Sequence, residues 1–249
     1  SMKINYSNAN PMTIKQKLNP LGAHLLHEYY SHGKHNDGSA ITRNKIEKRF
    51  YNLNDPKDIP IIMSCESQNE TYGMIIVTGG RHRTPVIVRG DEVIILESLG
   101  TSRSKVGISS VAQISIALNS IPGKKYKIHT PSGNRQIDSV SCGTDSFLAL
   151  KEGLRLGDEL FNQITTQPQK EMNLSVNNII DKKEKSDSFY NRNDIHVNQF
   201  DVLPPEIAKY SQSISTIKSL PTKDTAVKIN PNKHQKEHET ITNYAQRNA

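Results

Sequence analysis

The chain has two cysteines, Cys65 and Cys142, and their neighbours set them apart. Cys142 opens the run CGTDSFLALKEGLRLGDELF, in which Phe147, Leu150, Leu154 and Phe161 recur at helical spacing. Its thiol is therefore expected at a helix N-terminus, where backbone amides and the dipole favour the thiolate, the nucleophilic form of cysteine. Gly143 beside it lets a carbonyl come close to the backbone. Cys65 ends the apolar run IPIIMSC, which reads as a β-type segment and makes this second thiol a core residue.

A thiolate needs a base, and the base needs orienting. His82 stands at the start of RHRTPVIVR and Glu97 near the end of EVIILESL, with the short turn Gly90-Asp91 between them. Pairing these β-branched runs about the turn makes a hairpin whose far ends bring His82 and Glu97 alongside each other. Glu97 can then accept from one imidazole nitrogen and leave the other for Cys142. Gln136 lies six residues ahead of Cys142, in the loop entering the helix, where its amide can point at a developing oxyanion. Each residue alone has an ordinary explanation: a buried small cysteine, a loop histidine after two glycines, a strand-end carboxylate, a loop glutamine. Their joint order points to acyl transfer through a cysteine nucleophile.

The elements that must position these groups are legible in outline. YGMIIVT (residues 72–78), the hairpin runs and KYKIHT (125–130) read as strands, and VGISSVAQISIALN (106–119) reads as a buried helix. Pro85 early in its strand suits an edge or a bulge. Residues 21–30 and 40–53 are expected to be helical, residues 173–198 a linker or exposed insertion, and VLPPEIAKYSQSISTIK a turn feeding a short helix. His24, His27, His32 and His35 lack accompanying acidic or cysteine ligands and read as surface histidines. The division that follows is a polar, partly helical flank (1–58), a catalytic core (59–165) and a polar C-terminal region (166–249) that is helical in part and in part disordered.

Composition narrows the classes. Of 249 residues, 34% are hydrophobic, and mean hydropathy is −0.62. Apolar residues concentrate in 72–161, so one packed middle with looser flanks is expected. No apolar run approaches the length of a spanning helix, and no signal-peptide pattern is present, although Ser1-Met2 reads as an expression scar. The chain is thus expected to be soluble. Two distant cysteines make no disulfide framework and fit a reducing compartment. The net charge of +7 is spread along the chain and suits a solvated surface or an anionic partner. Zinc-finger spacing and RNA-binding aromatic signatures are missing, so nucleic acid is not expected as a partner.

Histidine, then a carboxylate on the next strand, then glutamine six residues before Cys-Gly is similar to the CE clan of cysteine enzymes. That clan includes the ubiquitin-like proteases and the YopJ-type acetyltransferase effectors of bacteria that live with plants or animals. GRHRTPVIVRGDEVIILESLG resembles the YopJ histidine-to-glutamate hairpin, and RQIDSVSCGTDSFLALKEGL its glutamine-to-cysteine segment. LPPEIAKYSQS resembles a downstream Leu-Pro…Lys-His-x-Gln-Ser motif, with Lys209 kept and Tyr210 where histidine is usual. NKHQKEHETITN echoes a Lys-rich Glu-Thr tail, so the resemblance spans roughly residues 72–243. His82 is followed by Arg83 rather than the Trp of the protease branch, and Ser141 replaces the acidic residue of the usual Glu-Cys-Gly.

The resemblance implies an α+β fold with a central mixed sheet flanked by helices, and a triad of His82, Glu97 and Cys142 with Gln136 at the oxyanion. It implies acetyl transfer from acetyl-CoA, through a Cys142 thioester, to Ser, Thr or Lys of a host protein. Inositol hexakisphosphate is the implied activator, with Lys209 the residue nominated to bind it. Secretion by a bacterium into the host cell cytoplasm is implied as well. The alternative carried by the same triad is a deubiquitinase or isopeptidase acting on a ubiquitin-like modifier.

Overall fold

The structure is a computed structural model and describes residues 21–26, 50–66, 69–180 and 195–213. Its centre is a seven-stranded sheet in the order β1-β2-β3-β4-β5-β7-β6. The strands are β1 (Phe50–Leu53), β2 (Thr71–Thr78), β3 (His82–Arg89), β4 (Glu92–Ile95), β5 (Lys127–Pro131), β6 (Gln169–Leu174) and β7 (Ile195–Phe200). β2, β3 and β4 form an antiparallel meander, while β1 joins β2, and β5 joins both β4 and β7, in parallel. β6 closes the far edge antiparallel to β7. The helices are α1 (21–26), α2 (Ile59–Cys65), α3 (Lys105–Asn119), α4 (Cys142–Leu156), α5 (Asp158–Thr165) and α6 (Pro205–Ala208). The expected mixed sheet flanked by helices is therefore what the chain forms. None of the helices in the described residues is long and apolar enough to cross a membrane.

Alternation along the strands sorts the core into two layers. Ile75, Ile87 and Ile94 face α4, α5, α6 and α1, with Phe147, Leu150, Leu154 and Phe161 packed upon them. Met74, Ile76, Val86, Val88, Val93 and Ile95 face the opposite way, onto Val111, Ile114 and Leu118 of α3. The central strands are thus apolar on both faces, which is why their runs in sequence are nearly continuous rather than alternating. α3 begins where the Ser104 hydroxyl accepts from the amide of Gly107 (3.0 Å), a side-chain N-cap.

Several expectations are corrected. IPIIMSC is helix α2, not a strand, and Cys65 at its end is exposed rather than core. Short apolar runs do not distinguish strand from helix by period, and Pro60 in the first turn is pre-set for a helix start. Residues 51–53, expected as the end of a helix, lie in β1, and residues 40–49 fall outside the described residues. Pro85 sits in a central strand between β2 and β4. Its carbonyl accepts from Leu96 (2.9 Å) just past the end of the β3–β4 ladder, so its missing N–H falls where that ladder has stopped.

The long helix expected from Cys142 to Phe161 breaks at Gly157 (φ 57°), which a side chain would oppose, and restarts as α5. The ends of 173–198, expected as linker, lie in the last two residues of β6 and the first four of β7, while 181–194 lies outside the described residues. β6 was hard to read because an edge strand keeps polar, exposed positions. Strands β1, β6 and β7 lie outside residues 59–165 yet share the one sheet. His24 is exposed, and His27, His32, His35 and the tail 214–249 fall outside the described residues.

Candidate active site

The hairpin turns tightly at Gly90-Asp91, with Arg89 opposite Glu92 and Val86 opposite Ile95. Continuing that register sets Thr84 opposite Glu97 and leaves His82 one diagonal step away on the same face, within reach of a long side chain. The observed bond matches that geometry: His82 Nε2 lies 2.5 Å from Glu97 Oε1. Glu97 is wholly buried and held from several sides. Leu99 N donates to its Oε2 at 3.1 Å, the Ser98 hydroxyl donates there at 3.5 Å, and the Thr84 hydroxyl donates to Oε1 at 3.4 Å. The loop carrying it is pressed by the first turn of α3. A Cβ at Gly107 would meet the Gly100 carbonyl oxygen at 2.1 Å and Glu97 Cγ at 3.3 Å, so only glycine fits there.

Cys142 is the first residue of α4 and is buried. The Cys142 side chain hydrogen-bonds to His82, and its sulfur lies 4.0 Å from the carbonyl oxygen of Arg81. With Nε2 committed to Glu97, Nδ1 is the ring nitrogen left for the thiol. Burial lowers the His82 pKa, but the Glu97 charge, the hydrogen bonds to Cys142 and Glu97, and the Cys142 charge outweigh it and push the pKa up to about 10. An imidazolium is therefore the favoured state beside this thiol over the neutral range. Burial lowers the Arg83 pKa, while the Cys142 charge acts in the opposite direction, so a second cation lies within electrostatic reach of the sulfur.

Gln136 is buried in the loop leading to α4. Its Oε1 accepts from the Ser98 hydroxyl (2.6 Å), and its Nε2 donates to the carbonyl of Asp138 (2.9 Å). The same Nε2 lies 3.4 Å from Asp138 Oδ1, so the structure places Gln136 beside the site with its amide donating to Asp138. Lys209 lies at the end of α6, against Glu152, ten residues along α4 from Cys142. Its Nζ sits 3.5 Å from Glu152 Oε1 and 4.9 Å from the centre of the Tyr210 ring. Lys151 and Arg155 meet the same buried carboxylate.

A cleft of about 450 Å³ opens against His82. Thr78, Arg81, Gln136 and Ser139 line it together with Ser109, Ser110 and Gln113 of α3, and Leu99, Val106 and Ile180 supply apolar surface. Arg81 and His82 are the ionisable groups among its lining residues.

Sequence reasoning missed a layer of supporting residues. Arg135, almost wholly buried, grips both Asp145 oxygens (3.1 and 2.8 Å) and the Leu96 carbonyl (2.6 Å). It thereby fastens the loop before Cys142 to α4 and to the end of β4. Arg83 was noticed only as a departure from Trp. Its signal was position, since the residue after His82 points to the opposite face of the sheet, the one on which α4 packs.

No family model matches the chain, and no curated protein matches it in sequence. Solved structures do match in fold. HopZ1a in complex with IP6 aligns over 92% of this chain and 82% of its own, at 11% identity and a TM-score of 0.50. HopZ1a in complex with IP6 and CoA aligns over 84% of this chain and 67% of its own (12% identity, TM-score 0.49). AvrA delL154 with IP6 and CoA aligns over 83% and 67% (14% identity, TM-score 0.37). At 11% identity, the likeness to HopZ1a in complex with IP6 is one of architecture. HopZ1a and AvrA are YopJ-family effectors, and the fold of this chain is YopJ-like.

Proposed function

We propose that this protein is a cysteine-nucleophile acyltransferase that moves an acetyl group from acetyl-CoA, through a Cys142 thioester, to Ser, Thr or Lys of a host protein. The observation that carries the reading is one side chain, His82, bonded to buried Glu97 on one side and to Cys142 at the start of α4 on the other. The YopJ-like fold and the sequence resemblance support the acyl donor and the acceptor class.

In this reading Cys142 gives its proton to His82, and the imidazolium stays paired with Glu97. The thiolate, stabilised by the helix N-terminus and the Arg83 charge, attacks the acetyl carbonyl. Gln136 is the assigned oxyanion donor, its amide exchanging the long 3.4 Å contact with Asp138 Oδ1 for the developing charge. His82 returns its proton to the departing CoA thiolate, leaving an acetyl thioester on Cys142. Neutral His82 then takes the proton of the incoming hydroxyl or amine as it attacks, and hands it back to the Cys142 sulfur when the thioester breaks.

Inositol hexakisphosphate is proposed as activator from the resemblance. Lys151, Arg155 and Lys209 gather around one carboxylate, Glu152, a cluster of cations of the kind that a polyanion binds. A ligand that binds the folded form raises its melting temperature, and Lys209→Ala should reduce that rise, which should also weaken with salt.

The deciding experiment treats the protein separately with labelled acetyl-CoA plus inositol hexakisphosphate and with a ubiquitin-based suicide probe. Hydroxylamine-sensitive label on Cys142 is expected. Reaction with the probe, in the absence of any acetyl-enzyme or thermal response, would replace this reading with the isopeptidase.

A further inference from the structure

The loop 136–141 that delivers Cys142 has its own clamp, and the clamp comes from the segment after α6. Gln212 Oε1 accepts from the amides of Ile137 (2.7 Å) and Asp138 (3.3 Å). Its Nε2 donates to Asp138 Oδ2 (2.8 Å), and its backbone N–H donates to the Arg135 carbonyl (2.6 Å). The other oxygen of Asp138 faces forward, toward the nucleophile. Oδ1 receives the amides of Val140 (2.9 Å) and Ser141 (2.8 Å) and the Ser141 hydroxyl (2.8 Å), fixing the residues immediately before Cys142. Gln212 is buried and is not among the residues lining the cleft.

From this arrangement we infer that Gln212 is a positioning residue: it holds Asp138, and through Asp138 the 136–141 loop, so that the Cys142 thiol meets His82. The inference rests on the reading of Cys142 as nucleophile and extends it to a residue 70 positions downstream. Glutamine suits the task because one side chain must accept two backbone N–H groups and donate to a carboxylate. Asparagine is a methylene shorter, and an ionised glutamate cannot donate. Burial raises the Asp138 pKa, but the bonds from Gln212, Val140 and Ser141 prevail and leave it below the usual carboxylate range. The groups that touch Asp138 are all neutral: the Gln212 and Gln136 amides, two backbone amides and the Ser141 hydroxyl.

The test reads thiol reactivity and so needs neither an acyl donor nor an acceptor protein. In a Cys65→Ala background, Cys142 alkylation by iodoacetamide is followed across pH by mass spectrometry. Gln212→Ala should slow it on the order of tenfold to a hundredfold, the scale on which misplacement of a reacting group acts. Gln212→Glu should be slow at about pH 8, where two carboxylates oppose each other, and approach the parent rate near about pH 6, where a shared proton restores the donor. That reversal survives as a test if Gln212→Ala fails to fold, and a merely structural role would not produce it. Parent-like rates in both variants, or a slowing in Gln212→Glu that is the same at every pH, would overturn the positioning role. A parent protein whose Cys142 is no more reactive than an unactivated thiol would overturn the nucleophile reading itself, and this inference with it.

Discussion

Strand β4 has a histidine near each end, half-buried His82 and buried His129, and each is bonded to a glutamate. At one end His82 Nε2 meets Glu97 Oε1 at 2.5 Å; at the other His129 Nε2 meets Glu92 Oε2 at 2.9 Å. Five residues of extended chain, about 16 Å, separate the two carboxylates along the sequence. The histidines nevertheless titrate in opposite directions. His82 is raised to about 10, whereas burial, the largest influence on His129, lowers its pKa against the raising effects of Glu92 and Gln169, with Lys127 adding to the fall. The partners differ: the Glu97 side chain is wholly enclosed, whereas that of Glu92 is 31% exposed and so partly screened by water. The third group differs more. His82 has a thiol at a helix N-terminus; among the described residues, His129 Nδ1 meets the Gln169 amide oxygen, 3.2 Å away. A histidine–carboxylate pair is thus a common structural unit, and what makes one of them a candidate for catalysis is the cysteine brought to its other nitrogen.

The largest effects should fall on one pair and spare the other. Cys142→Ala should abolish labelling from acetyl-CoA, and His82→Ala should lower turnover by about 10²–10⁴-fold, the usual worth of a general base. Glu92→Gln, measured in the same assay, should leave turnover unchanged. Equal losses at both ends of β4 would erase the distinction drawn above.

Glu97→Gln comes next, because it keeps the shape and removes the charge. The His82 pKa should fall, and the alkaline limit of acetyl transfer, which needs the imidazolium to protonate the departing thiolate, should move down from about 10 toward neutral pH. An unmoved alkaline limit would mean that Glu97 does not hold the imidazolium.

Stability should show the two signs separately. A raised histidine stabilises the fold fully below its unfolded value of 6.5, and that contribution fades as pH climbs through about 10. A lowered histidine does the reverse: its contribution is present above 6.5 and is lost as pH falls through the lower folded value. Urea denaturation of His82→Gln and His129→Gln against the parent, from acid to alkaline pH, should give gaps that close at opposite ends, with a slope of about 1.4 kcal/mol per pH unit inside each window. The smallest effect belongs to Cys65→Ala. This thiol is exposed at the C-terminal end of α2, far in sequence from the candidate site, so turnover should not change and stability should shift by no more than about 0.5 kcal/mol. If Cys65 proves the more rapidly alkylated nucleophile, the assignment of Cys142 fails.

How much of this was legible beforehand follows from the range of the interactions. The β3–β4 hairpin, α3 and the helix starting at Cys142 were readable because each depends on neighbours within a dozen residues: a two-residue turn, a run of β-branched side chains, a helical period. The meeting of His82 with Glu97 was readable for the same reason, since hairpin register is set by its turn. IPIIMSC was misread because an apolar run of seven residues carries no usable period, and the β6–β7 pair was missed because edge strands are polar. Long-range pairings lay beyond the sequence altogether. That Arg135 would grip Asp145, that Arg83 would lie near the Cys142 sulfur, and that Gln212 would hold Asp138 depend on α4 and the segment after α6 packing on the same face of the sheet. A local sequence pattern determines which groups can face each other within one element; only the packed layers decide which groups, far apart in the chain, lose water together and must satisfy one another.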